Sequence, residues 1–174
     1  MKTPKGQGCV VLYLDFDGVL HHEDVWFHPR RGVFIRTPGY RLFEHVPLLE
    51  AALAPFPEVK IVLSTSWVRY RRFSDSAKRL GPVLREKVIG ATYHTRMNRQ
   101  GFESLPRGIQ VLNDVARRRP KSWVALDDDL ENWIPEYRDY LIHCDNVLGL
   151  SAPGVIDALS TRLSSFNLAS TDPQ

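Results

Sequence analysis

The amino-acid sequence predicts an α/β domain with a mainly parallel sheet, on three observations. Four short apolar runs, at residues 10–14, 59–63, 123–126 and 140–144, alternate with stretches whose apolar residues recur at helical spacing. The runs are continuous instead of alternating apolar with polar, which is the pattern of strands covered on both faces. Three of them stop at polar chemistry: Asp15 and Asp17 after the first, Ser64, Thr65 and Ser66 after the second, Asp127 and Asp128 after the third.

The first run, VVLYL, is rich in β-formers and meets Asp15 directly. Between 21 and 38, Trp26, Phe27, Val33, Phe34 and Ile35 are interspersed with His28, Pro29, Arg30, Arg31 and Gly32, which suits a hairpin lying as a flap over a mouth. Tyr40, Leu42, Phe43, Val46, Leu49, Ala52 and Leu53 then predict a helix, split or kinked at Pro47. After the second strand, Trp67, Val68, Tyr70, Phe73, Ala77 and Leu80 predict the inner face of a basic helix. Arg69, Arg71, Arg72, Lys78 and Arg79 lie between them, and Gly81 with Pro82 stops it. Residues 88–91 read as a short strand, 108–118 as a helix, and 154–163 as a last helix with Ser151 as its N-cap. From Ser164 the chain turns polar and is expected to fray. No internal repeat or low-complexity linker divides the sequence, so the expectation is one domain over 1–174, with a core of about 8–165 and a flap of about 21–38.

Composition narrows the class. The 174 residues, 43% hydrophobic and 25% charged, are ordinary for a soluble globular chain with a real core. A net charge of +3 suits an anionic ligand and is too mild to argue for nucleic acid by itself. Cys9 and Cys144 have no metal-type spacing and fit reduced thiols in the cytoplasm. The apolar run near Lys2 and Lys5 is too short for a secretory signal, and nothing approaches the roughly twenty apolar residues of a membrane span.

In an open parallel sheet, ligands bind beyond the carboxyl ends of the strands, where strand order reverses. Four carboxylates gathered there repel one another unless a cation sits among them, and hard oxygen donors select Mg²⁺. A carboxylate can attack phosphorus to form an aspartyl-phosphate, and a second can carry the proton. Hydroxyl and N–H groups at the second strand end can hold phosphoryl oxygens, while a cationic side chain offsets the approach of anion to anion.

The segments "LDFDGVL", "IVLSTSW" and "VALDDD" follow apolar strands in this order and resemble motifs one, two and four of the haloacid dehalogenase-like (HAD) phosphohydrolases. "HCDNVLGLSAPGVIDALSTRL" resembles that superfamily's terminal strand, loop and helix. The resemblance implies a three-layer Rossmann-like domain and a Mg²⁺-dependent hydrolase of phosphomonoesters. Asp15 would be the nucleophile and Asp17 the general acid/base, its backbone carbonyl also reaching the metal; Asp127 and Asp128 would complete the metal site. Thr65 matches the phosphate-binding hydroxyl, with Ser64 or Ser66 as alternatives in the same run. For the motif-three cation the match is Arg107, with Arg99, Arg96 and Lys78 as alternatives. The intervals between motifs hold only a flap and no large cap, which resembles the capless branch with its open sites. "STSW" and "LDDD" further resemble the phosphatase-like domains associated with RNA-repair proteins. The implied partner is a phosphorylated substrate, either a small molecule or a nucleic-acid end, and no membrane.

Blander readings exist for several residues. "DDDLEN" is not an EF-hand loop, because Asn132 stands where the sixth-position glycine belongs; Asp129 and Glu131 are expected as solvent or helix-start acids. Trp67 and Tyr70 are expected in the core, with the neighbouring arginines on a solvated helix face, although an electrostatic funnel with stacking surfaces is the alternative. "ARRRP" reads as a helix C-terminus, where cations suit the dipole, and His21, His22 and His28 as exposed loop residues, with contact to substrate from the flap as the alternative. Two functional alternatives accompany the phosphohydrolase reading: a catalytically silent module on the same fold, and a nucleic-acid end-processing phosphatase or nucleotidase.

Overall fold

A computed structural model of the chain describes residues 4–168. Its strands are β1 (Val10–Leu14), β2 (Val25–His28), β3 (Gly32–Ile35), β4 (Lys60–Leu63), β5 (Val88–Ala91), β6 (Ser122–Asp127) and β7 (Leu141–His143). The helices are α1 (Val46–Leu53), α2 (Trp67–Arg71), α3 (Phe73–Lys78), α4 (Gly81–Lys87), α5 (Arg99–Glu103), α6 (Arg107–Arg118) and α7 (Val155–Leu168). Five strands form one sheet in the order β5-β4-β1-β6-β7, with every pairing parallel. β2 and β3 form a separate antiparallel hairpin within the interval that the sequence assigned to a flap.

Central β1 explains the three layers. Val10, Leu12 and Leu14 belong to one core cluster, with residues of α1, α2, α3, α4 and α7. Val11 and Tyr13 belong to a second cluster, with Val111 of α6, Trp123 and Trp133. A strand covered on both faces needs apolar side chains at every position, each worth about 1.5–3 kcal/mol when fully buried. That is why VVLYL shows no alternation.

Several local expectations change. The helix predicted from Tyr40 begins only at Val46, and Pro47 sits in its first turn, where a missing N–H costs nothing. The basic helix is broken at Arg72, whose φ of 67° separates α2 from α3. The break turns Tyr70 and Phe73 outward, to 65% and 41% exposure. Gly81 and Pro82 open α4 instead of ending its predecessor. Neither α4 nor α5 was predicted. Ser151 does not begin the last helix, which starts at Val155; its hydroxyl donates to the Leu148 carbonyl. That helix continues through Ser164 to Leu168, and the rest of the expected frayed tail lies outside the described residues.

Candidate active site

Strand register assembles the site. Leu14 pairs with Leu63 on one side and Leu126 on the other, so the residues that follow, Asp15, Ser64 and Asp127, emerge side by side. Backbone bonds continue past the ladder: Ser64 N–H donates to the Leu14 carbonyl at 2.8 Å, and Asp15 N–H to the Leu126 carbonyl at 3.1 Å. Chain order passes from β1 to β4 and β5 on one side, then to β6 and β7 on the other. The acids therefore stand at the point where strand order reverses.

Three carboxylates meet there. Asp15, Asp127 and Asp128 each offer an oxygen lying within 4.8 Å of the others. Asp15 and Asp127 are buried, and Asp128 is half-buried. Gly18 makes room for Asp128: at φ +67° it adopts a conformation that side chains resist, and a β-carbon there would lie 2.1 Å from Asp128 Oδ2. The glycine of Asp-Phe-Asp-Gly thus serves both the turn and the approach.

Arg107, the first residue of α6, reaches into this group. Its Nη2 donates to Asp15 Oδ2 at 3.0 Å, its Nε lies 3.5 Å from Asp127 Oδ2, and its Nη1 donates to the Ser64 carbonyl. Gly108 lets the start of α6 dock: its N–H donates to the Asn132 carbonyl at 3.0 Å. A β-carbon at that position would meet the same carbonyl at 3.1 Å. The other candidate cations stand elsewhere. Arg99 pairs with Glu103 at 2.9 Å, Lys78 lies 3.9 Å from Asp75, and Arg96 is exposed in the loop before α5.

The Asp17 carboxylate is outside the three-carboxylate cluster, so its side chain does not join that donor set. It faces two other groups. Trp67 Nε1 donates to Asp17 Oδ1 at 2.8 Å, and His21 Nε2 lies 3.0 Å from the same oxygen. His21 Nδ1 accepts the Phe43 N–H at 3.2 Å, which places the ring proton on Nε2 and makes it the second donor. Phe43 holds this position at φ 60°, an uncommon conformation for an aromatic residue.

Thr65 is buried, and its hydroxyl accepts the Trp67 N–H at 3.4 Å. Ser66 is half-buried beside Asp17 in the wall of a cavity of about 440 Å³. Ser64 contributes its backbone to the site, while its buried Oγ has no hydrogen-bond partner among the described residues. His21 and His22 are buried, contrary to the exposed-loop expectation, whereas His28 is exposed. Trp67 is buried as expected, and its indole N–H has a polar role that the sequence reading did not give it. Repeated spacing revealed neither partner of Asp17; the available signals were the adjacent His21–His22 pair and the Trp closing "STSW".

Electrostatics mark this as a site built for positive charge. Burial raises the Asp15 carboxyl, while Arg107 opposes the rise. Burial and then Asp15 raise Asp127 well above the carboxylate range. Burial and then Asp15 push Asp128 up to about 7. Among the described residues, Arg107 is the one guanidinium in close contact with this group of acids. The all-oxygen donor set and the space left by Gly18 fit a hard divalent cation.

An all-parallel sheet carrying Asp-x-Asp-Gly at its central strand end, with an acidic pair on the neighbouring strand, defines the haloacid dehalogenase-like fold. Proteins of this superfamily are generally hydrolases acting on phosphoesters. More particularly, residues 11–155 match the family described as the HAD domain in Swiss Army Knife RNA repair proteins, and the chain belongs to that family. No curated protein matches it. Among the described residues, no helix is long and apolar enough to cross a membrane.

Proposed function

We propose that the protein is a Mg²⁺-dependent phosphomonoesterase working through an aspartyl-phosphate on Asp15. The observation that carries this reading is the contact of buried Asp15 with Arg107 beside Asp127 and Asp128. Asp15, Asp127 and Asp128 would hold the metal, with the Asp17 carbonyl as the further donor implied by the motif. Bound there, the cation would supply charge neutralisation at the phosphoryl oxygens.

The chain's own groups divide the remaining work. Arg107 shares its charge between Asp15 and Asp127, and its donors can move to phosphoryl oxygens when a substrate enters. Thr65 and Ser66 add hydroxyl donors at the end of β4. Asp15 attacks phosphorus, and the bond from phosphorus to the leaving oxygen breaks. Asp17 protonates that oxygen, then takes a proton from the water that hydrolyses the acyl phosphate. Its Oδ1 is occupied by two donors, so the second oxygen is the one that carries the proton.

The family description supports a phosphate at a nucleic-acid end as the substrate, and unpaired cysteines suit a reducing cytoplasm. Asp15→Asn should abolish Mg²⁺-dependent release of phosphate from phosphate-ended oligonucleotides and an aryl phosphate while leaving the thermal unfolding transition intact. Wild-type turnover in that variant would refute the assignment.

A further inference from the structure

The cavity beside Asp17 has walls that the phosphoryl chemistry does not use. It encloses about 440 Å³ and is bounded by the β2–β3 hairpin on one side and α2 on the other. Asp17 and Ser66 stand at its inner wall; Trp26, Phe27, Tyr70 and Arg71 supply much of the remainder. We propose that this cavity is the subsite for the terminal nucleobase of a phosphate-ended nucleic-acid strand, stacked among Trp26, Phe27 and Tyr70. The assignment deepens the phosphomonoesterase reading and rests on it for the orientation of the substrate.

Position supplies the first argument. A group that protonates the leaving oxygen must touch it, so the rest of the leaving group continues from Asp17 into whatever space adjoins that carboxylate. Here that space is the aromatic cavity. The carboxylate cluster and Arg107 are not among its lining residues, and Asp17 and Ser66 stand where the phosphoryl end meets it.

Composition supplies the second. Trp26, Phe27 and Tyr70 are 48%, 60% and 65% exposed around one opening, and each ring carries arginine: Arg36 on Trp26, Arg71 on Phe27, and Arg99 and Arg69 at 5.1 and 5.5 Å from the Tyr70 centroid. The Arg71 guanidinium lies 4.6 Å from the centre of the Phe27 ring, joining α2 to the hairpin across that opening. A planar heteroaromatic ring attached to an anion satisfies both features: it stacks on ring faces, while the arginine attracts the charge. A purely aliphatic leaving group would use the apolar area and neither the planarity nor the cation.

Preorganisation supplies the third. Asp24 clasps the hairpin, accepting from Trp26 Nε1 at 2.6 Å and from Thr37 Oγ1 at 2.7 Å. The Arg36 guanidinium, 3.2 Å from Asp24, lies over the Trp26 ring at 4.4 Å from its centroid. These contacts hold the exposed indole without burying it, as a stacking platform requires.

The test compares kcat/KM of the full chain with Mg²⁺ on three substrates: a phosphate-ended oligonucleotide, the same strand with an abasic terminal residue, and glycerol phosphate. Trp26→Ala and Phe27→Ala should each raise KM for the first substrate by roughly tenfold and leave the other two unchanged. The abasic strand should be the poorer substrate for the wild-type chain. Phe27→Leu, which keeps apolar area and removes the π face, should resemble Phe27→Ala. Equal effects on all three substrates, or an abasic end processed as well as a normal one, would overturn the subsite. Binding to Asp15→Asn, followed by tryptophan fluorescence, separates the two readings. Base-dependent quenching lost in Phe27→Ala would sustain the subsite even if no turnover were found. Turnover without base dependence would sustain the phosphatase and remove the subsite.

Discussion

Gly18 and Asp128 are so close that a β-carbon on Gly18 would fall 2.1 Å from Asp128 Oδ2. Gly18→Ala therefore adds a steric clash to the strain of a left-handed backbone, which alone costs about 1 kcal/mol. The carboxylate must move, because β1 and the turn behind Gly18 are packed in the core. The variant is expected to fold with a lower melting temperature and to lose the Mg²⁺-induced rise in that temperature. A full Mg²⁺ response in Gly18→Ala would show that Asp128 is not a ligand.

The acid cluster also predicts a pH dependence. Asp128 is pushed up to about 7, from an unfolded value near 4, by burial and then by Asp15. The folded protein therefore holds a proton that the unfolded chain releases. Without metal, this group's stabilising contribution is complete below about pH 4 and is lost as pH rises through about 7. Asp15 and Asp127 shift in the same direction. Thermal melts in chelator should show this loss between about pH 4 and 7, with a shallower slope in Asp128→Asn. Because a divalent cation competes with the proton, added Mg²⁺ should stabilise strongly at pH 8 and weakly at pH 5. An equal Mg²⁺ effect at both pH values would contradict the assignment.

How much of this was legible follows from what spacing encodes. Continuous apolar runs identified β1, β4 and β6, and parallel pairing brought the residues after them together. Arg107 could be nominated only through the family resemblance, which puts a cation just before the helix leading to the third strand. The break at Arg72 could not be seen: a positive φ at a non-glycine residue leaves no mark on apolar spacing, so Tyr70 was placed on a buried face that the short α2 does not continue. Gly-Pro was read as a stop, although proline in a first turn is equally a start. His21 was read as exposed because its partners, Phe43 N–H and Asp17, are set by tertiary packing.

His21 and Trp67 are expected to position Asp17 by occupying Oδ1 from two sides. His21→Leu and Trp67→Phe each remove one donor, and the former also leaves the Phe43 N–H unpaired. Proton delivery matters most when the leaving oxygen is basic, so both variants should lose more kcat on an alkyl phosphate than on p-nitrophenyl phosphate, by roughly tenfold. His21→Gln can restore an N–H donor and should recover part of the difference. Equal losses on the two substrates would indicate a structural role only.

The last prediction concerns stability away from the carboxylate cluster. Asp114 on α6 is buried and accepts from the Tyr13 hydroxyl at 3.1 Å and from Arg118 Nε at 2.5 Å, with Arg117 as a third partner. Arg118 stands at the C-terminus of α6, where the sequence reading placed it, and is buried there; it also donates to the Lys5 carbonyl at 2.7 Å and the Ala91 carbonyl. The network thus joins β1, α6, the end of β5 and the segment before β1. Asp114→Ala strands a buried guanidinium and a buried hydroxyl, and should cost about 3–5 kcal/mol in urea unfolding. Asp114→Asn keeps the shape and one acceptor and should cost less. Because neither change removes a group from the carboxylate cluster, phosphate release per folded molecule should hold in both. A loss of turnover in Asp114→Asn at a temperature where it remains folded would show that this network also fixes Arg107 at the head of the same helix.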